Sequence, residues 1–151
     1  MALNTQFADV LVDAMATAFA TKFNSAKIYI CTGTLTGSST TGSNILSGAV
    51  LAIFNMNATA FGSPTSGVIV ANAIATVSAI NTGTATFARF MDSNWVGSDS
   101  SALTGSGGAN VLMDCTAGTS SANLIISPIT ASTNVSIGSF THEVLNASSG
   151  Q

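Results

Sequence analysis

Charge is what this chain lacks most. Three basic and six acidic residues are spread over 151 positions, whereas a soluble domain usually devotes about a quarter of its residues to charge. Three basic residues cannot neutralise a run of phosphates, which excludes nucleic acid as a partner. Metal sites draw on clustered His, Cys, Asp or Glu; the carboxylates here are scattered, so no metal and no other cofactor is expected. The chain has a single histidine. A Ser-His-Asp arrangement would have to use this residue, His142, which stands in register with Phe140 and Val144 and reads as a packed or half-exposed ring. There is no Gly-x-Ser-x-Gly elbow and no close carboxylate pair of the kind glycoside hydrolysis needs. No catalytic residue is expected, and the chain reads as a non-enzyme.

Cysteine and long apolar runs are scarce too. Cys31 and Cys115 are too few and too far apart for a disulfide framework and read as small buried hydrophobes. A membrane helix needs roughly 18 consecutive apolar residues. The best candidate, residues 7–23, is interrupted by Asp9, Asp13 and Lys22, so no membrane partner is expected. The opening MALNTQFADV has no basic region followed by an apolar stretch, so no secretory signal is expected. Synthesis in a reducing cytoplasm fits these features, and there the sequons at Asn57, Asn134 and Asn146 would carry no meaning. Asp92-Ser93-Asn94-Trp95-Val96-Gly97 matches an EF-hand loop at its first, third and sixth positions. Val96 at the fifth and Leu103 at the twelfth do not fit, and the segment reads as a β-turn.

What fills the chain instead is Ser, Thr, Asn, Gly and Ala around an apolar set that makes up 46% of the residues and includes eight Phe. That is enough for one core, and residues 1–151 are read as a single domain. A surface wetted without charge repels its neighbours poorly, so the composition points to association.

Helical periodicity is confined to the start. Phe7, Val10, Leu11, Ala14, Met15, Ala18 and Phe19 recur at three- and four-residue steps, which predicts an amphipathic helix over residues 4–23 with that stripe as its apolar face. Asn4 or Thr5 would cap it, Asp9 and Lys22 complement its dipole, and Asn24-Ser25 ends it. The rest, residues 26–146, reads as strand and turn. Runs at 27–32, 49–55, 67–72, 74–80, 84–91, 110–115, 123–127 and 134–145 are rich in Val, Ile, Phe and Thr and punctuated by Gly, Asn, Ser and Pro. Asn81-Thr82-Gly83 and Asp92-Ser93-Asn94 are turn sequences. The expected architecture is mainly β: an antiparallel β-sandwich, jelly-roll-like or immunoglobulin-like, preceded by the helix. Residues 33–47 and 98–109 are polar, low-complexity stretches expected to act as loops.

Two features bear on partners. Val50, Ala52 and Phe54 alternate with Leu51 and Ile53, and Val68 and Val70 with Ile69 and Ala71, so both strand faces are apolar. A strand of a lone sandwich is apolar on one face. The second face is expected to be covered by the helix on some strands and by another subunit on others, the alternative being that the helix and loops do all of the covering. Arg89, mid-strand beside Phe87 and Met91, needs a partner. The candidates are Asp114 or Glu143 inside the fold, or a group across a subunit interface.

The order of segments is also informative. The helix leads into Ala26-Lys27-Ile28-Tyr29-Ile30-Cys31-Thr32-Gly33-Thr34, followed by Val50-Leu51-Ala52 and Ala58-Thr59-Ala60-Phe61-Gly62. Then come Thr82-Gly83-Thr84-Ala85-Thr86-Phe87-Ala88-Arg89-Phe90-Met91-Asp92-Ser93, Ser127-Pro128-Ile129 and Val135-Ser136-Ile137-Gly138-Ser139-Phe140-Thr141. This order resembles small virion proteins of tailed bacteriophages, including capsid decoration or cement proteins. The resemblance implies a non-enzymatic structural protein of the virion, assembled in the host cytoplasm, that stabilises the icosahedral head. Its partners would be copies of itself, as a homotrimer or other closed oligomer, and the major capsid protein. The alternative is a tail, baseplate or head-fibre component with a receptor- or glycan-binding role, which exposed aromatics such as Trp95 and Phe61 at loop tips would support.

Overall fold

In the computed structural model, residues 8–36, 45–97 and 110–144 are described. The protein is mainly β with one helix near its N-terminus. Helix α1 (Asp9–Lys22) follows Ala8 at the N-cap, which makes no side-chain cap. The expected caps Asn4 and Thr5, and Phe7 of the expected stripe, lie outside the described residues. Twelve strands follow among the described residues: β1 (Lys27–Cys31), β2 (Thr34–Thr36), β3 (Ile45–Ser47), β4 (Val50–Asn55), β5 (Val68–Val70), β6 (Val77–Ser78), β7 (Phe87–Met91), β8 (Val111–Gly118), β9 (Leu124–Ile126), β10 (Asn134–Val135), β11 (Ile137–Ser139) and β12 (Thr141–Glu143).

Six strands form the main sheet, in the order β11-β9-β8-β7-β1-β4. The second layer of the sandwich is not a continuous sheet. It consists of α1 and two short ladders, β12–β5 and β6–β10, whose Ile69 and Val135, with the adjoining Ala79 and Phe140, share the main core with Ile28, Ile30, Phe54 and Phe90 of the sheet. Aromatic rings fasten the layers together. Phe23 meets Phe90 edge-on at 5.5 Å, and Phe61 and Phe90 both contact Phe140. Such pairs add about 0.5–1.5 kcal/mol each beyond the area they bury.

The strands and turns depart from expectation in four places. The run at 134–145 breaks into three short strands in three different ladders. Residues 33–47, expected as loop, contain the β2–β3 hairpin ladder, whereas 98–109 lie outside the described residues. Asn81-Thr82-Gly83 does not join paired strands. Its neighbourhood instead covers the sheet edge: Ile80 N–H donates to the Leu51 carbonyl at 2.7 Å and the Asn81 amide to that of Val50 at 2.8 Å, occupying edge carbonyls that would otherwise template another strand. Finally, β8 and β9 pair in parallel over two residues. Parallel neighbours usually need a crossover of a dozen or more residues. Here a tight curl suffices, with Ser121 at φ 52° and the Thr116 hydroxyl accepting the Asn123 N–H at 3.1 Å.

The face of α1 that enters the core differs from the expected one. Val12 and Ala16 are buried, as is Phe23 just past the helix end, and Phe19 and Ala20 pack beside them. Val10, Leu11 and Met15 are 77%, 47% and 46% exposed, and Ala14 and Ala18 are also exposed. The helix is apolar on both sides, and the large rings at Phe19 and Phe23 decide which side is buried, because an aromatic ring carries more apolar area than Val or Ala.

Candidate functional site

β1 runs through the middle of the sheet and is buried on both faces: Ile28, Tyr29, Ile30 and Cys31 are each fully buried. One face meets the main core. The other carries a second cluster of Tyr29, Cys31, Phe87, Met91 and Trp95, with Val50, Ile53 and Val111 packed against it. Tyr29, Cys31, Phe87, Met91 and Trp95 are buried within a single chain, whereas Val50 and Ile53 of β4 are only partly buried and Val70 of β5 is 54% exposed. Trp95 reaches the cluster through the expected turn, in which its N–H donates to the Asp92 carbonyl at 2.9 Å and the Asn94 N–H donates to Asp92 Oδ1 at 2.7 Å.

Arg89 lies in this second layer. Register places Tyr29, Arg89 and Asp114 in one row across β1, β7 and β8. Arg89 Nε and Nη2 donate to the two oxygens of Asp114 at 2.7 and 2.8 Å, a two-pronged pair. The side chains are 0% and 6% exposed. Of the expected partners, Asp114 is the one used; Glu143 lies exposed on β12, opposite Val68. The pair is internal, and its charge is spent inside the fold.

The remaining titratable groups offer little reactivity. Cys31 lies in the second cluster, whereas Cys115 packs against the main core on the opposite face, so the two thiols cannot bridge. Burial pushes them up to about 12 and about 11, far from the thiolate that reactivity requires. Among the described residues no three His, Cys, Asp or Glu side chains group as metal ligands, and no helix is long and apolar enough to cross a membrane.

His142 stacks on Phe19 with ring centroids 3.8 Å apart and planes 7° from parallel, linking β12 to α1. Partial burial lowers its pKa from the ordinary 6.5. The unfolded chain therefore takes up the proton first, so stability is complete above pH 6.5 and falls as the pH drops from there through the folded value. Melting curves between pH 7.5 and pH 5.5 are expected to show wild type losing more stability than His142→Phe, which keeps the stacked ring. Equal losses would remove the histidine from the account.

Two surfaces remain as candidates for binding. A cleft of about 570 Å³ opens between residues 83–85 and the β8–β9 curl, lined by Thr84, Thr119, Ser121, Pro128 and Ile129 among others, none of them charged. The other surface is the outer face of α1. Neither aromatic named for a receptor-binding role is presented at a loop tip, since Trp95 is 8% and Phe61 3% exposed. The burial of the Phe19 side of α1, and with it the outer face, was legible in principle: Val12, Ala16, Phe19 and Phe23 also repeat at helical spacing, and two of them are aromatic. Asp13 carried no comparable signal. Its carboxylate accepts the Gly67 N–H at 2.7 Å, a contact 54 residues apart in the chain.

No protein-family model matches this chain, and comparison with curated proteins and with solved structures yields no match.

Proposed function

We propose that this chain is a non-enzymatic structural protein of a tailed-phage virion, a capsid decoration or cement protein that binds the icosahedral head as a homo-oligomer. The segment order supplies the phage reading. The observation that carries the binding reading is the outer face of α1, an exposed apolar surface on a chain whose Arg89–Asp114 ion pair is internal. Exposed apolar side chains gathered on one element mark an interaction site more often than they decorate a monomer. With so few surface charges, identical neighbours can pack closely without repulsion. Binding to the assembled shell and not to its free subunits would stabilise the shell by mass action.

The test is addition of the purified protein to heads lacking it. Saturable binding at symmetry-related sites, with heads that withstand heating better than bare ones, is the expected result. Heads that bind no protein and gain no resistance would contradict it. Because this contact is apolar, binding should change little between low and high salt, unlike a contact that depends on surface charge.

A further inference from the structure

We infer that the uncharged cleft between residues 83–85 and the β8–β9 curl is a binding site for a neutral saccharide. The inference goes beyond the head-binding reading and does not rest on it, since the cleft shares no residue with the outer face of α1.

The cleft lies where the main sheet parts. The β7–β8 ladder ends at the bond from the Ala117 N–H to the Thr86 carbonyl, at 3.1 Å. Beyond it β8 turns to pair with β9, while residues 83–85 are next held at the isolated bridge of Gly83 to Ile129. No backbone hydrogen bond ties Thr84 or Ala85 to the curl. One end is fastened by the Thr82 hydroxyl, which accepts the Ala131 N–H at 2.8 Å. The β9 side is fastened by the Ser127 N–H, which donates to the Ser136 carbonyl at 3.0 Å. Both walls are thus fixed before a ligand arrives, which lowers the ordering cost of binding. At about 570 Å³ the space falls within the range of small-ligand sites, roughly 300–1,000 Å³.

The lining selects the ligand. It includes no Asp, Glu, Lys, Arg or His, so a phosphate, carboxylate or ammonium would give up water with no countercharge in return. What the lining offers is hydroxyls. Those of Thr84, Thr119, Ser120 and Ser121 bond to no other described residue. The Thr116 hydroxyl is spent on Asn123, whereas Ser127 Oγ accepts the Ser136 N–H at 3.0 Å and keeps its own proton to donate. A wholly apolar ligand would strip these groups of water without replacing it. A serine or threonine hydroxyl is one donor and two acceptors, and a sugar hydroxyl is the same, so the two sets pair in either direction. Buried Ile126 and Ile129, with Pro128 between them in the chain, add apolar surface for the C–H face of a sugar ring. No aromatic ring lines the cleft. Aromatic rings usually supply most of the contact energy at such surfaces, so the expected affinity is weak, in the millimolar range.

Amide chemical shifts of the isotope-labelled full chain test this. The probes are the neutral sugars glucose, galactose and N-acetylglucosamine, their charged relatives glucuronic acid and glucosamine, and glycerol as a polyol without a ring. At least one neutral sugar should give saturable shifts confined to residues 83–85, 116–122 and 126–129, whereas the charged relatives and glycerol should not saturate. The double variant Thr84→Val with Thr119→Val keeps the branching of both side chains and removes two hydroxyls. It should weaken binding by about tenfold. Its melting temperature should stay at the wild-type value, since both positions are exposed. Saturation by none of the three neutral sugars overturns the inference, as do shifts scattered over the whole surface. An equal response to glycerol or to the charged relatives overturns it too, as does a double variant that binds as tightly as wild type. A chain that binds sugar in the cleft but does not bind heads would leave this inference standing and remove the decoration reading. Heads decorated by a chain indifferent to every sugar would do the reverse.

Discussion

Arg89→Ala is expected to cost about 3–5 kcal/mol of stability, the usual penalty for removing one partner of a buried ion pair. At about 2–4 °C per kcal/mol for a chain of this size, thermal melting should fall by roughly 10 °C or more. The physical reason lies in the row across β1, β7 and β8. Truncating Arg89 leaves the Asp114 carboxylate, 6% exposed, without the two guanidinium bonds at 2.7 and 2.8 Å that offset its desolvation. Asp114→Ala should also be clearly destabilising, because it removes two charge-assisted bonds from a guanidinium that is fully buried. Arg89→Lys keeps the charge and loses the two-pronged geometry, so it should fall between wild type and Arg89→Ala. Replacing both partners with apolar residues, Arg89→Met with Asp114→Leu, should recover most of the loss, since a well-packed apolar pair removes the desolvation cost altogether. Chemical denaturation of these four variants tests the account. A loss below about 1 kcal/mol for Arg89→Ala, the range of an exposed pair, would show that the pair does not hold this layer.

Gly67→Ala is the second substitution expected to be severe, at about 2–4 kcal/mol. Gly67 sits at φ +81°, where a side chain costs about 1–2 kcal/mol. An added Cβ would also lie 2.3 Å from Val12 Cγ1 and 2.9 Å from the Val144 carbonyl, an overpacking that costs about 1–3 kcal/mol. The position joins three elements. Its N–H donates to Asp13 of α1, it leads directly into β5, and its carbonyl accepts the Val144 N–H at 3.0 Å. A shift there should loosen the helix from the sheet while leaving the Arg89–Asp114 layer on the opposite face intact. Hydrogen exchange should therefore rise in α1, β5 and β12 before it rises in β1 and β7. Uniform loss of protection, or none, would contradict that division. Val12→Ala in the same chain should relieve the closer contact, so the pair should be less destabilising than the sum of its members.

How much of this could be read beforehand depends on how local the cause was. The strand β1 was legible because Ile28-Tyr29-Ile30-Cys31 is a continuous apolar run of strand-forming residues, and such a run is buried on both faces. The helix was legible as an element, and its buried side only in principle. Two apolar stripes share α1, and the choice between them is made by distant rings, Phe61 at an isolated bridge and Phe90 on β7, that receive Phe19 and Phe23. The need of Arg89 for a partner could be read from its neighbours Phe87 and Met91, but the choice of Asp114 over Glu143 required the register of β7 on β8. The parallel β8–β9 pair went against the general rule on crossovers, and nothing in residues 119–123 announces so tight a curl. For the candidate binding face, the error in orientation was instructive: the residues expected to be buried in the core, Val10, Leu11, Ala14, Met15 and Ala18, are those left for a partner.

Cryo-electron microscopy of a virion that carries this chain decides whether it binds on the head. The predicted result is density fitting the helix and the six-stranded sheet, repeated at symmetry-related sites on the outside of the shell. Density for the chain confined to the tail, or none anywhere on the particle, would contradict it.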